Sequence, residues 1–126
     1  MKITVVKPTF VRRDKRGLFA EGLNGSSWEN ISYGIMKKGA VMGDHYHKKT
    51  KVFLFIVMGN AFVDNIDVRT KETSRIILKE NQGIIFPKYI SHAIRFTKKS
   101  WFVMGKSVAY NVRSPDTYEY KVPFLK

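Results

Sequence analysis

The chain has 126 residues, 23 Lys and Arg against 10 Asp and Glu, a formal net charge of +13 and no cysteine. That length holds one domain, and 44% apolar with 13% aromatic residues suffices to bury a core, which excludes a disordered chain. The lack of cysteine excludes disulfides, thiolate metal sites and a cysteine nucleophile, while the charge asks for an anionic partner: nucleic acid, an acidic lipid surface or a phosphorylated small molecule.

The N-terminus, Met1-Lys2-Ile3-Thr4-Val5-Val6-Lys7-Pro8, has no apolar stretch of the secretory kind. The most apolar run, Val52 to Met58, is far shorter than the ~20 residues of a membrane span. A cytoplasmic protein without a membrane partner is expected. Runs rich in Val, Ile, Phe, Tyr and Trp follow one another: Ile3 to Val6, Ile31 to Met36, Val52 to Met58, Ala61 to Val68, Ser74 to Leu78, Gly83 to Phe86, His92 to Phe96, Trp101 to Val108 and Tyr118 to Val122. Turn signals such as Asn24-Gly25, Lys38-Gly39, Gly59-Asn60 and Asn81-Gln82-Gly83 separate them. No stretch sustains a 3.6-residue period, so residues 1–126 are predicted to form one all-β sandwich or barrel. The charge run Arg12-Arg13-Asp14-Lys15-Arg16 reads as a solvated face. Val52 to Met58 is apolar at every position. Both its faces should then be covered, one by the interior and one by a partner sheet, which predicts a homo-oligomer.

The chain has three histidines, His45, His47 and His92. Residues i and i+2 of a strand share a face, so His45 and His47 project together. His92 opens a later strand, and three imidazoles from two strands suit a divalent cation.

Gly43-Asp44-His45-Tyr46-His47, continuing to Gly59, resembles the first motif of the cupins, and Gly83 to Pro87 followed by His92 resembles the second. The resemblance implies a double-stranded β-helix of the jelly-roll type. Metal-binding cupins carry a Glu shortly after His-x-His; here Lys51 stands there, and an ammonium cannot be a ligand. The expectation is therefore no cofactor. The alternative is a three-histidine site of His45, His47 and His92 holding Mn, Fe, Ni or Zn.

Asp14-Lys15-Arg16-Gly17-Leu18-Phe19-Ala20-Glu21, Gly43-Asp44-His45-Tyr46 and the segment Gly59 to Arg69 are similar to segments of dTDP-4-dehydrorhamnose 3,5-epimerases. Asp44-His45-Tyr46-His47-Lys48-Lys49 and the tail Ser107 to Tyr118 resemble the dTDP-sugar 3,4-ketoisomerases, whose length is closer to this chain's. The epimerases' catalytic tyrosine aligns with Met104 or Gly105, and Tyr110 is the nearest tyrosine. These resemblances imply a nucleotide-sugar isomerase or epimerase of the ketoisomerase-like or divergent kind, or a relative that only binds. Such chemistry needs a base to remove a proton beside a keto group and an acid to return one. His45 is the candidate base, His47 the second acid/base, and Lys51 the cation for the enolate or a phosphate. Arg16, Phe19, Glu21, Lys48, His92 and Tyr110 are candidate substrate contacts, the first three in the epimerases partly from a neighbouring subunit. A nucleoside-diphosphate sugar as ligand and a homodimer are the implied partners. A nucleic-acid role ranks last, since no basic helix or aromatic-basic sheet motif is present.

Overall fold

The structure is a computed structural model that describes residues 1 and 3–123. It holds twelve strands: β1 Thr4–Val6, β2 Phe10–Asp14, β3 Gly17–Glu21, β4 Asn30–Met36, β5 Val41–Tyr46, β6 Val52–Met58, β7 Asn60–Asp67, β8 Thr73–Lys79, β9 Gln82–Phe86, β10 Ile90–Phe96, β11 Ser100–Lys106 and β12 Tyr118–Glu119. Among the described residues there is no helix, hence none long and apolar enough to cross a membrane.

Two five-stranded antiparallel sheets, in the orders β1-β9-β6-β11-β4 and β12-β5-β10-β7-β8, enclose the core. The expected all-β jelly-roll architecture is what the chain adopts. Val52, Leu54 and Ile56 of β6 meet Ala61, Val63, Leu78, Ile94 and Phe96 of the facing sheet, all at most 1% exposed. Strand alternation explains this set: odd and even positions of β6 go to opposite faces.

β2 and β3 form a hairpin outside both sheets, pairing Asp14 with Gly17. The charge run Arg12 to Arg16 is exposed along its whole length, as expected of a solvated face, and in addition forms part of a strand pair and its turn. The missed signal was the turn itself. Asp14 Oδ1 accepts from Arg16 N at 2.9 Å, and Gly17 takes φ 135°, between the short apolar pairs Phe10-Val11 and Leu18-Phe19.

The reading of β6 is also corrected. Its outer face is covered in part by this chain itself: Phe53 stacks near Trp28 at 5.9 Å and Phe55 lies under Gly22. Beyond them the outer face of the same sheet stays open. Ile31, Tyr33 and Ile35 on edge strand β4 are 67%, 84% and 61% exposed.

The C-terminal segment crosses the back of the second sheet. Tyr120 and Val122 pack on Ile66 and Ala93, Tyr120 N donates to the Asp44 carbonyl at 2.9 Å, and Val122 N donates to Asp44 Oδ1 at 2.9 Å. This strap holds β5, the strand that carries His45 and ends one residue before His47.

Candidate active site

β5 does not run evenly beside β10. His45 pairs with His92 and Gly43 with Ala93, so Asp44 is an extra residue on β5, a β-bulge. Asp44 sits at φ 60° and Gly43 at φ 113°. The bulge turns the Asp44 carboxylate outward to the strap and leaves His45 facing the interior, beside its cross-strand neighbour His92. Two residues on, His47 shares that face. The ring centroids lie 5.2 Å apart for His45 and His47, 5.0 Å for His45 and His92, and 6.1 Å for His47 and His92.

The three rings line an inner cavity of about 130 Å³ with Met42, Val52, Met104 and Lys106. An outer cavity of about 270 Å³ shares His47 and Lys106 and is walled by Lys49, Tyr110, Asn111 and Asp116. The two together run from the tail segment 108–117 down to the imidazoles.

His47 has a defined protonation form. Its Nδ1 lies 2.5 Å from the Asp116 carbonyl oxygen, which can only accept, so Nδ1 carries the hydrogen. In the neutral ring Nε2 then keeps a lone pair. That Nε2 is buried with no protein partner, as is Nδ1 of His92. His92 also stacks on Phe86 at 4.1 Å.

Burial, then the neighbouring imidazoles, push His92 down to about 3. Burial first, with His47 and Lys106 adding to it, lowers His45; burial and Lys106 lower His47 against the opposing Asp116 carbonyl. All three rings are neutral bases at physiological pH.

The consequence for stability has a definite sign. The unfolded chain binds a proton on this histidine near pH 6.5 and the folded chain does not until about pH 3. The contribution is therefore fully present above pH 6.5 and is lost as pH falls toward 3, by about 1.4 kcal/mol per unit. His92→Leu should flatten the acid limb of urea-unfolding free energies, gaining about 2–3 kcal/mol at pH 4.5 relative to the parent's own loss from pH 7. An unchanged acid slope in the variant would exclude the assignment.

The other sequence-predicted residues are distributed as follows. Lys51 is exposed and lines neither cavity. Val52 points inward, so its neighbour must point out. The cation that faces the histidines is Lys106, directly opposite Val52 in the β6–β11 register and therefore on its inner face. Tyr110 is in the outer cavity, and Met104 in the inner one. Lys48 turns away, its Nζ 4.2 Å from the centre of the Tyr118 ring. Arg16, Phe19 and Glu21 belong to the β2–β3 hairpin and line neither cavity: Arg16 pairs with Asp14 at 2.7 Å and Glu21 accepts from Thr9 Oγ1 at 2.8 Å. Sequence reasoning missed Lys106 and Asp116. The alternation of β11 away from Trp101 carried the signal for the first; nothing local marks the second.

The chain was compared with known proteins. The family model described as the polysaccharide biosynthesis C-terminal domain matches residues 12–118. No curated protein matches in sequence. Among solved structures, the dTDP-4-dehydrorhamnose 3,5-epimerase from Sulfolobus tokodaii is similar at a TM-score of 0.77 and 20% identity, over 88% of this chain and 73% of that one. A 3,4-ketoisomerase from Helicobacter canadensis is similar at a TM-score of 0.76 and 20% identity, over 94% and 90%. The capsular polysaccharide assembling protein CapF from Staphylococcus aureus is similar at a TM-score of 0.70 and 21% identity, over 90% of this chain and 34% of CapF, so this chain spans about a third of that protein. The fold is the cupin fold of these neighbours.

Proposed function

The chain belongs to the polysaccharide biosynthesis C-terminal domain family, and from that premise we propose that it is a nucleotide-sugar isomerase or epimerase working by histidine acid–base chemistry on a keto sugar. The observation that carries the reading is the His47 ring: its Nδ1–H is committed to the Asp116 carbonyl, its Nε2 is buried with no protein partner, and the ring lines a cavity with two neutral imidazoles and an ammonium. A base of this kind takes the proton from the carbon next to the carbonyl. The C–H electron pair becomes the new C=C bond and the carbonyl oxygen becomes an enediolate oxygen. Lys106 stands beside the rings to stabilise that charge, and His45, expected from the sequence as the base, supplies the second proton transfer instead, because the ring whose protonated nitrogen is fixed is His47. The outer cavity takes the nucleotide, with Lys49 for the diphosphate and Tyr110 beside it. Two of the solved structures it resembles are, by name, a dTDP-4-dehydrorhamnose 3,5-epimerase and a 3,4-ketoisomerase, which supports this reading.

The test is incubation with a dTDP-4-keto-6-deoxyhexose in D2O. Deuterium should enter the sugar beside the keto group, and dTDP should raise the melting temperature. The absence of both deuterium uptake and a melting-temperature shift with any nucleoside diphosphate would overturn the proposal.

A second reading has its own observation. One ring nitrogen from each of His45, His47 and His92 lies within 4.8 Å of the others, and two of the rings hold a buried nitrogen with no protein partner. A divalent ion held by these three would supply Lewis-acid polarisation of a substrate oxygen. Three imidazoles with no carboxylate suit Zn or Ni better than Mg or Ca. Elemental analysis of the purified protein separates the two readings.

We also infer a homodimer. Ile31, Tyr33 and Ile35 form an apolar stripe on an edge strand, next to Trp101 in register with Ile35. The hairpin shows Phe10, Val11, Leu18 and Phe19 to solvent, and a two-stranded hairpin alone is marginal. Packing one copy's hairpin on the other's stripe buries both and brings Arg16 and Phe19 to a neighbour. Sedimentation should give a dimer for the parent and a monomer for Ile31→Lys/Tyr33→Lys; a monomeric parent at micromolar concentration ends the idea.

A further inference from the structure

Asp116 makes five contacts that tie the tail to the site. Its carboxylate accepts from Lys48 N at 2.9 Å, Lys49 N at 2.7 Å, Thr50 N at 2.8 Å and Thr50 Oγ1 at 2.8 Å. Its own carbonyl takes the His47 Nδ1 hydrogen. Residues 47–50 are therefore gripped from both ends by one residue almost seventy positions away in sequence. Three successive backbone N–H groups around one carboxylate form an anion-holding turn, and such charge-assisted bonds are stronger than neutral ones. Burial alone would raise the Asp116 carboxyl; the donors outweigh it and hold the group below the ordinary carboxylate range, so the grip persists throughout the neutral range.

The carbonyl contact decides which nitrogen of His47 keeps a lone pair, the buried Nε2 that has no protein partner. The carboxylate contact decides where that carbonyl is. Beside the grip, the nearest tether of residue 116 is β12, where Tyr118 pairs with Tyr46; the flanking residues 111–115 and 117 are exposed, so the carboxylate is what seats residue 116 itself on the imidazole. We propose that Asp116 is a positioning residue that fixes His47 in the Nδ1–H form, with its carboxylate locking the turn and its carbonyl holding the ring. Asp116 touches no reacting atom in this role. The inference rests on His47 acting as the base, but its spectroscopic test does not.

The experiment compares the full-length parent with Asp116→Ala and Asp116→Asn. Long-range ¹H–¹⁵N correlation spectra of the ligand-free, metal-free protein report the His47 tautomer directly, and circular dichroism reports folding. The parent should show Nδ1 protonated and Nε2 bare. Asp116→Ala should lose that pattern while the strands remain. Deuterium exchange into a keto-sugar substrate should fall roughly 10- to 100-fold, the usual size for loss of a group that orients an imidazole. Asp116→Asn keeps the side-chain shape and one acceptor oxygen and should lie between the two, which covers the case in which the alanine variant does not fold. A parent spectrum with Nε2 protonated, or folded variants that keep the parent's pattern, would overturn the inference. If the tautomer shifts as expected while the parent itself exchanges no deuterium, the positioning role stands and the proposed reaction fails.

Discussion

His47→Asn should lower deuterium incorporation into a dTDP-4-keto sugar by about 10²- to 10⁴-fold, the range for losing a general base. The substitution is chosen for its geometry. The asparagine amide places an N–H close to where Nδ1 donates to the Asp116 carbonyl, so the tail keeps its partner. What disappears is the Nε2 lone pair. Binding of dTDP, read by thermal shift, should change little, because the outer cavity is walled chiefly by Lys49, Lys106 and the 108–117 segment. His45→Asn should fall by a similar factor in the overall isomerisation while retaining more of the first exchange step, since His45 returns the proton rather than removing it. Lys51→Ala, at an exposed position outside both cavities, should leave exchange within a few-fold of the parent, whereas Lys106→Ala should reduce it strongly, by about 10²-fold, as expected for a cation aimed at a developing oxyanion. Equal exchange by His47→Asn and the parent would remove His47 from the chemistry.

The contrast between Lys51 and Lys106 shows how far the sequence alone reaches. Period-two alternation placed the shared face of His45 and His47, because that depends only on near neighbours along the chain; β6, apolar at every position, offered no alternation to separate its core face from its outer one. Alternation along β11 away from Trp101 marks the inner face for Lys106, but setting it opposite Val52 beside the histidines needs the register between β6 and β11, which is made by strands far apart in sequence. Asp116 was invisible for the same reason: its partners lie 66 to 69 positions upstream. The hairpin β2–β3 was missed because charge outweighed its two short apolar pairs, and the turn at Asp14 to Gly17 was not weighed. Long apolar strands were legible; the contacts that aim side chains at each other were not, because they are tertiary.

Gly43→Ala should cost about 2–6 kcal/mol of folding stability, about 1–3 from a left-handed backbone that an alanine strains and about 1–3 from overpacking. At φ 113° Gly43 faces β10 so closely that an added Cβ would overlap the His92 carbonyl oxygen. That atom is backbone and cannot rotate away, so the strands must separate. Gly39→Ala is the matched control. Gly39 also has positive φ, at 87°, but a Cβ there meets nothing within 4 Å, so only the backbone strain applies. The difference between the two variants in urea unfolding therefore isolates the contact. The site suffers beyond the loss of stability, because Gly43 and Asp44 are the bulge that turns His45 inward beside His92. Gly43→Ala protein that is still folded should exchange deuterium more slowly than Gly39→Ala protein at equal folded fraction. Equal stability for the two alanine variants would mean that β5 and β10 do not approach as closely at this bulge as the pairing of Gly43 with Ala93 requires.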